Sequence, residues 1–240
     1  HSARSGDREP NYKNRHSRAA IVCFCDAISR CNCPDLGSTE LASKKPPKKR
    51  KKVCMSIPTE TYETIWEQYT AATHWMAGLG IKLSSGRTSH YEKVVRHWKS
   101  AYKTATAEEE RDIFPDFVSS MFEIFDFLSI HKAFQSVPVS QLASIIEKLK
   151  KGVNGPINAA DETPESTFSR NFLFEATVAA KAHRPERGIE AILDAKSDTG
   201  IRINGKKIWI ECKRVTTLEK IEGNARKASS QLETVLSREV

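Results

Sequence analysis

The sequence predicts a mixed α/β protein. A disordered basic tail spans 1–55, a helical bundle spans 56–152, a linker covers 153–162, and an αβββα core spans 163–240. Three observations carry this reading. From Thr59 to Lys151 apolar side chains recur at helical spacing, which gathers them on one face of each helix. Alternating residues flank Asn204-Gly205, a strong hairpin signal because a type I′ turn needs two residues at positive φ. A helical stripe then resumes after Thr216, so the strands lie between two helices.

The tail holds most of the charge asymmetry. The chain of 240 residues carries a formal charge of +8, with 13 Lys and Arg against 5 Asp and Glu in its first 54 residues. In the remainder, 25 basic residues balance 25 acidic ones. The excess belongs to one end and does not by itself argue that the folded body binds nucleic acid. Its densest part, Lys44 to Val53, centres on Lys48, Lys49, Arg50, Lys51 and Lys52. This cluster resembles monopartite nuclear-import signals, and it reads equally well as a solubilising or phosphate-touching strip. An import receptor is an expected partner only in a nucleated host, with a nuclear location there and a cytoplasmic one otherwise.

Cys23, Cys25, Cys31 and Cys33 supply four thiols, enough for a tetrahedral zinc site. Only one residue separates the members of each pair, which is tighter than structural sites use, so incidental cysteines are expected rather than zinc. No apolar run approaches the roughly 20 residues that span a bilayer. Ala19 to Ile28 is short and interrupted by Asp26, so neither a signal peptide nor a membrane partner is expected.

The bundle follows as four helical segments. Thr59–Met76 carries Ile65, Trp66, Tyr69 and Ala72, and Gly78-Leu79-Gly80 stops it. Ser89–Tyr102 aligns Tyr91, Val94, Val95, Trp98 and Tyr102. Thr106 and Glu109 form a capping box, opening a segment with Ile113, Phe117, Met121, Ile124, Phe125 and Leu128 and with Pro115 near its start. Val139–Lys151 ends in a basic turn before Gly152. His74, His90, His97 and His131 share no ligand spacing, and Trp66, Trp75, Trp98 and Phe122 read as core. No chemistry is expected in this block.

In the last part, Thr163-Pro164 reads as an N-cap and first helical residue. The helix it opens runs to about Ala182, with Phe168, Phe172, Ala176 and Ala179 buried. Glu175 falls at the edge of that stripe, where a carboxylate must be paired, solvated or part of a site. Ile189–Leu193 reads as a first strand, and the hairpin supplies two more. With Asn204 and Gly205 in the loop, Ile203 faces Lys206 and Asp198 faces Glu211, on one side of the sheet with Cβ atoms roughly 5 Å apart. Lys213 joins them, two residues beyond Glu211. Opposed carboxylates need a cation or proton between them, so the face reads as a magnesium site or as a solvated salt-bridged surface. Thr216 and Glu219 read as a second capping box. The stripe Leu218, Ile221, Ala225, Ala228, Leu232 and Leu236 follows, with Asn224, Lys227 and Gln231 beside it.

Helix, three strands, helix, with Phe174-Glu175, Ser197-Asp198 and Ile210-Glu211-Cys212-Lys213-Arg214, resembles the PD-(D/E)xK, restriction-endonuclease-like nuclease superfamily over about residues 163–240. The resemblance implies metal-dependent hydrolysis of phosphodiester bonds, in DNA before RNA. It assigns Mg2+ or Mn2+ to Asp198 and Glu211, with Glu175 as a direct or water-mediated ligand and Lys213 beside the attacking water. Asn224 and Gln231 fall on the helix that follows the motif. Ser197 replaces the signature proline, which leaves Asp194 as a rival first acid; the hairpin register favours Asp198. The superfamily core also has a fourth strand after its second helix. Here the chain stops at Val240, so that strand is expected to be missing or borrowed from elsewhere. Many relatives that cut both strands are dimers, so a homodimer is a possible assembly. The rival readings are an inactive relative that binds nucleic acid or protein, and a helical interaction protein with a polar hairpin face.

Overall fold

A computed structural model describes residues 19–25, 60–83, 86–163, 165–193, 197–215 and 217–237. It is a mixed α/β fold. Helices α1 (Tyr62–Gly78), α2 (Arg87–Ala101), α3 (Ala107–Phe134) and α4 (Ala143–Gly152) precede α5 (Phe168–Ala182). Strands β2 (Ile189–Ile192), β3 (Thr199–Ile203) and β4 (Lys206–Arg214) follow, then α6 (Ile221–Ser237). The order helix, three antiparallel strands, helix is the expected one.

A further strand corrects the reading of the tail. β1 (Ala19–Cys25) lies beside β4, parallel to it, giving the sheet order β1-β4-β3-β2. Its sequence, Ala-Ala-Ile-Val-Cys-Phe-Cys, contains no charge. A short continuous apolar run suits a strand inside a sheet but shows no period of its own, and the polar residues around it hid the signal. The strand covers an edge of β4 that would otherwise present unpaired backbone groups.

Side-chain caps open two of the four bundle helices, α1 and α3. Thr61 Oγ1 accepts from the Thr64 amide at 3.1 Å and opens α1. The capping box of α3 is complete: Thr106 Oγ1 accepts from the Glu109 amide at 3.3 Å, and the Thr106 amide donates to Glu109 Oε2 at 2.8 Å. α3 runs through Pro115 without ending. One apolar core links Tyr69 and Met76 of α1, Tyr91 of α2, Phe127 and Phe134 of α3, and Ile145 and Leu149 of α4. It continues into α5 through Leu173, Ala176 and Ala180.

α5 starts later than expected. The amides of Ser166 and Thr167 donate to the Thr163 carbonyl, and the Thr163 amide donates to Ser166 Oγ at 2.7 Å, so Thr163 heads a turn before the helix. Pro164 lies outside the described residues. The buried face also differs: Phe168 is exposed and Phe172 half-buried, while Leu173, Phe174, Ala176, Thr177, Ala179 and Ala180 are buried. α5 is packed on two sides, and its wide buried surface does not follow a single-stripe pattern. On one side Leu173 joins the bundle core; on the other Phe174 packs with Ile201, Ile210 and Cys212 of the sheet. α6 covers the opposite face, where Leu232 meets Trp209 and Ile192. A single 3-10 turn, Leu218–Lys220, precedes α6. Thr217 stands at its cap position without a side-chain cap bond, and Thr216 lies outside the described residues. Leu218 and Ile221 are exposed, so the buried part of that stripe reduces to Ala228 and Leu232. Phe122, read as core, is exposed on α3.

Candidate metal and phosphate site

The hairpin adopts the expected register. Asn204 and Gly205 have φ of 50° and 75°, the two positive values a type I′ turn needs. Pairing runs from Ile203↔Lys206 to Thr199↔Ile210, and one further step sets Asp198 against Glu211. The Cys212 amide donates to Asp198 Oδ2 at 2.8 Å and fixes that carboxylate against β4. The neighbouring pair is Gly200↔Trp209, and a Cβ at Gly200 would lie 2.8 Å from Trp209 Cε3. The indole therefore packs onto bare backbone beside the acidic pair. Asp194 lies outside the described residues.

Lys213 closes the constellation. Its Nζ donates to Glu211 Oε1 at 2.6 Å and stands 3.9 Å from Asp198 Oδ2. Glu211 is only 3% exposed, against 22% for the Lys213 side chain. Burial pushes the Glu211 carboxyl above the usual carboxylate range; the Lys213 hydrogen bond opposes this, and the Asp198 charge adds to it. Strand alternation puts Glu211 and Lys213 on the Trp209 side, the face that α6 covers. α5 packs on the other face, so Glu175 comes from across the sheet.

Glu175 is nonetheless electrostatically part of the cluster. Burial raises its carboxyl above the ordinary value, and the charges of Asp198 and Glu211 raise it further. What opposes the shift is Lys148, whose Nζ hydrogen-bonds Glu175 Oε2. Both side chains are largely buried, at 15% and 12% exposure. Lys148 comes from α4, in the block expected to hold no chemistry. Its signal was the carboxylate at a buried edge, which demanded a partner; nothing in the sequence chose Lys148 over Lys150 or Lys151.

A second buried ion network lies alongside. Arg214, next to Lys213, pairs with Glu162 and donates to Asn171 Oδ1 at 3.2 Å. Arg170 pairs with Glu162 at 3.0 Å and with Glu123, and donates to the Pro156 and Ile157 carbonyls. Arg87, fully buried, lies 3.0 Å from Glu123 Oε2 and donates to the Gly152 carbonyl. Segment 153–162, read as a linker, is thus pinned between the bundle and β4. On α6, Asn224 is half-buried and Gln231 exposed; no hydrogen bond among the described residues joins either to Asp198, Glu211 or Lys213. Cys23 and Cys25 fall on β1. Cys31, Cys33 and the basic cluster Lys48, Lys49, Arg50, Lys51 and Lys52 lie outside the described residues.

In comparisons with known proteins, no family model, curated protein or solved structure matches this chain. No helix among the described residues is long and apolar enough to cross a membrane.

Magnesium and manganese ask for hard oxygen donors. Among the described residues no three His, Cys, Asp or Glu side chains are gathered as a ligand group. Magnesium does not require such a cage, because it keeps several waters and is commonly held by one or two carboxylates plus substrate phosphate. Asp198 and Glu211 supply hard oxygen donors of that kind, and their opposed charges already draw in the Lys213 ammonium. The residues fit the ion as a two-carboxylate site with Glu175 in electrostatic range.

Proposed function

We propose that the chain is a metal-dependent nuclease of the PD-(D/E)xK type that hydrolyses phosphodiester bonds, in DNA before RNA. One observation carries the reading: a lysine hydrogen-bonded to a buried glutamate, with an aspartate facing both across a two-stranded register. The element order around it supports the same reading. So does β1, a fourth strand beside β4 that comes from the N-terminal side and not after α6.

Asp198 and Glu211 would hold the Mg2+ or Mn2+ ion, with Glu175 acting on the pair through its charge. When bound, the ion supplies Lewis-acid stabilisation of the negative charge that builds on the phosphoryl group. The chain's own groups do the rest. Burial of Glu211 keeps water and counter-ions away and strengthens each charge interaction in the site. The Lys213 ammonium, a compact point charge with three donors, orients the attacking water and faces the scissile phosphate. The Cys212 amide holds the Asp198 carboxylate in place while the phosphate enters. As the water oxygen bonds to phosphorus, the ester P–O bond breaks; the water proton leaves to solvent or to a carboxylate oxygen, and the departing alkoxide takes a proton from solvent to leave as the alcohol.

The test is cleavage of plasmid, single-stranded DNA and RNA with Mg2+ or Mn2+ and with chelator, for the parent, Glu211→Ala and Lys213→Ala. Expected is cutting that chelator abolishes and that either substitution lowers by about a hundredfold or more. Chelator-resistant cutting, or variants as active as the parent, overturns the proposal. Binding without cutting identifies a nucleic-acid-binding relative, and neither activity leaves an interaction protein.

A further inference from the structure

The phenylalanines of α3 leave an apolar face uncovered among the described residues. Phe114, Phe122 and Phe125 are 56%, 66% and 44% exposed. With the half-buried Val118 they recur at offsets of four, four and three residues, so they share one side of the helix. The other side holds Ile124, Phe127 and Ile130, buried in the bundle core. Three partly exposed rings of this size leave on the order of 300 Å² of apolar surface in water, which matches the largest patch of many monomers. Charge changes sign along the face. Glu108, Glu109, Glu110 and Asp112 precede it, against Arg111 alone. Lys132 follows it, beside Lys181 and Arg184 on the wall of a shared pocket.

We infer that α3 is the interface of a two-fold homodimer, its exposed face packed antiparallel on the same face of a second copy. A two-fold contact needs a surface complementary to itself, and this one is so in two respects. Pairing Phe114 with the second copy's Phe125 also pairs Val118 with its Met121, so the apolar stripe covers itself. The same register brings Glu110 within about one helical turn of the second copy's Lys132, setting the acidic end of each helix against the basic end of the other. A parallel pair would set acid on acid. Interfaces are about 60% apolar, so burying these rings on both copies corresponds to roughly 1,000 Å² in all, the lower bound for a specific contact. The dimer is therefore a reversible one. It is independent of the nuclease reading, since none of its residues belongs to the Asp198, Glu211 and Lys213 group.

Sedimentation equilibrium of the full chain across the micromolar range tests this, for the parent, Phe122→Asp, Phe114→Asp, Lys132→Glu and Lys132→Glu/Glu110→Lys. The parent is expected to dimerise. Each aspartate variant should weaken the dimer by about thirtyfold or more, as loss of an aromatic anchor implies. Their urea midpoints, taken at dilution, should stay at the parent value because both rings are exposed in the monomer; the two positions guard against one variant failing to fold. Lys132→Glu should weaken the dimer about fivefold at low salt and less at high salt, and the double reversal should restore it. A monomeric parent overturns the inference, whether another segment of the chain or another protein covers the face. So does a dimer that folded aspartate variants leave intact. A dimer that the double reversal fails to restore overturns the antiparallel register, and the inference with it.

Discussion

Replacing Lys213 by methionine tests whether the charge on Glu211 governs this part of the fold. The substitution keeps the aliphatic stem and removes the ammonium that lies 2.6 Å from Glu211 Oε1. Glu211 is 3% exposed and has Asp198 as its other charged neighbour, so its ionised form loses its compensation and keeps its repulsion. Breaking a buried ion pair from one side costs about 3–5 kcal/mol. The lower end, about 3 kcal/mol, applies here because Lys213 retains partial access to water and because protonation of Glu211 limits the cost. That limit gives the effect its pH signature. A carboxyl with a folded-state pKa above its unfolded value binds more protons when folded, so its stability contribution is full at low pH and lost as pH rises through the folded pKa. Urea unfolding of the parent, Lys213→Met and Lys213→Met/Glu211→Gln at pH 5 and pH 8 measures this. The single variant should lose about 3 kcal/mol at pH 8 and clearly less at pH 5, and the double variant should recover most of the loss. An equal loss at both pH values, or no recovery in the double variant, would refute the electrostatic account and leave only side-chain packing.

Two further predictions concern the neighbouring structure. Gly200→Ala places a Cβ 2.8 Å from the Trp209 ring and 3.1 Å from the Ile208 carbonyl; it should cost about 1–3 kcal/mol, read as a lower urea midpoint with loss of the native Trp209 fluorescence, whereas a parent-like midpoint would show the strands free to part. His183 accepts a hydrogen bond from the Ala191 amide at 3.2 Å on Nδ1, and burial holds its pKa below the ordinary histidine value. A depressed histidine pKa contributes stability that is present above the unfolded pKa and lost as pH falls, so the parent should weaken below about pH 6.5. His183→Asn should flatten that part of the stability profile, and an unchanged slope would assign the acid sensitivity to other groups.

Local chemistry determined what was legible in the sequence. Asn204-Gly205 set the turn, the turn set the register, and the register brought Asp198, Glu211 and Lys213 together, because pairing in a tight hairpin is determined by its loop. The Thr106–Glu109 box and the four bundle helices were legible for the same reason: caps and periodicity act within a few residues. Three features were decided only by tertiary structure. β1 becomes a strand because β4 offers it an edge; in the sequence it is a brief apolar run in a basic tail. α5 buries a broad surface because it is packed on both sides, so its exposed Phe168 and buried Thr177 contradict a one-face pattern. Lys148 finds Glu175 because α4 packs on α5, and that contact joins residues 27 apart in the chain. The hairpin could assemble half of the candidate site by itself; the other half required the bundle to fold against it.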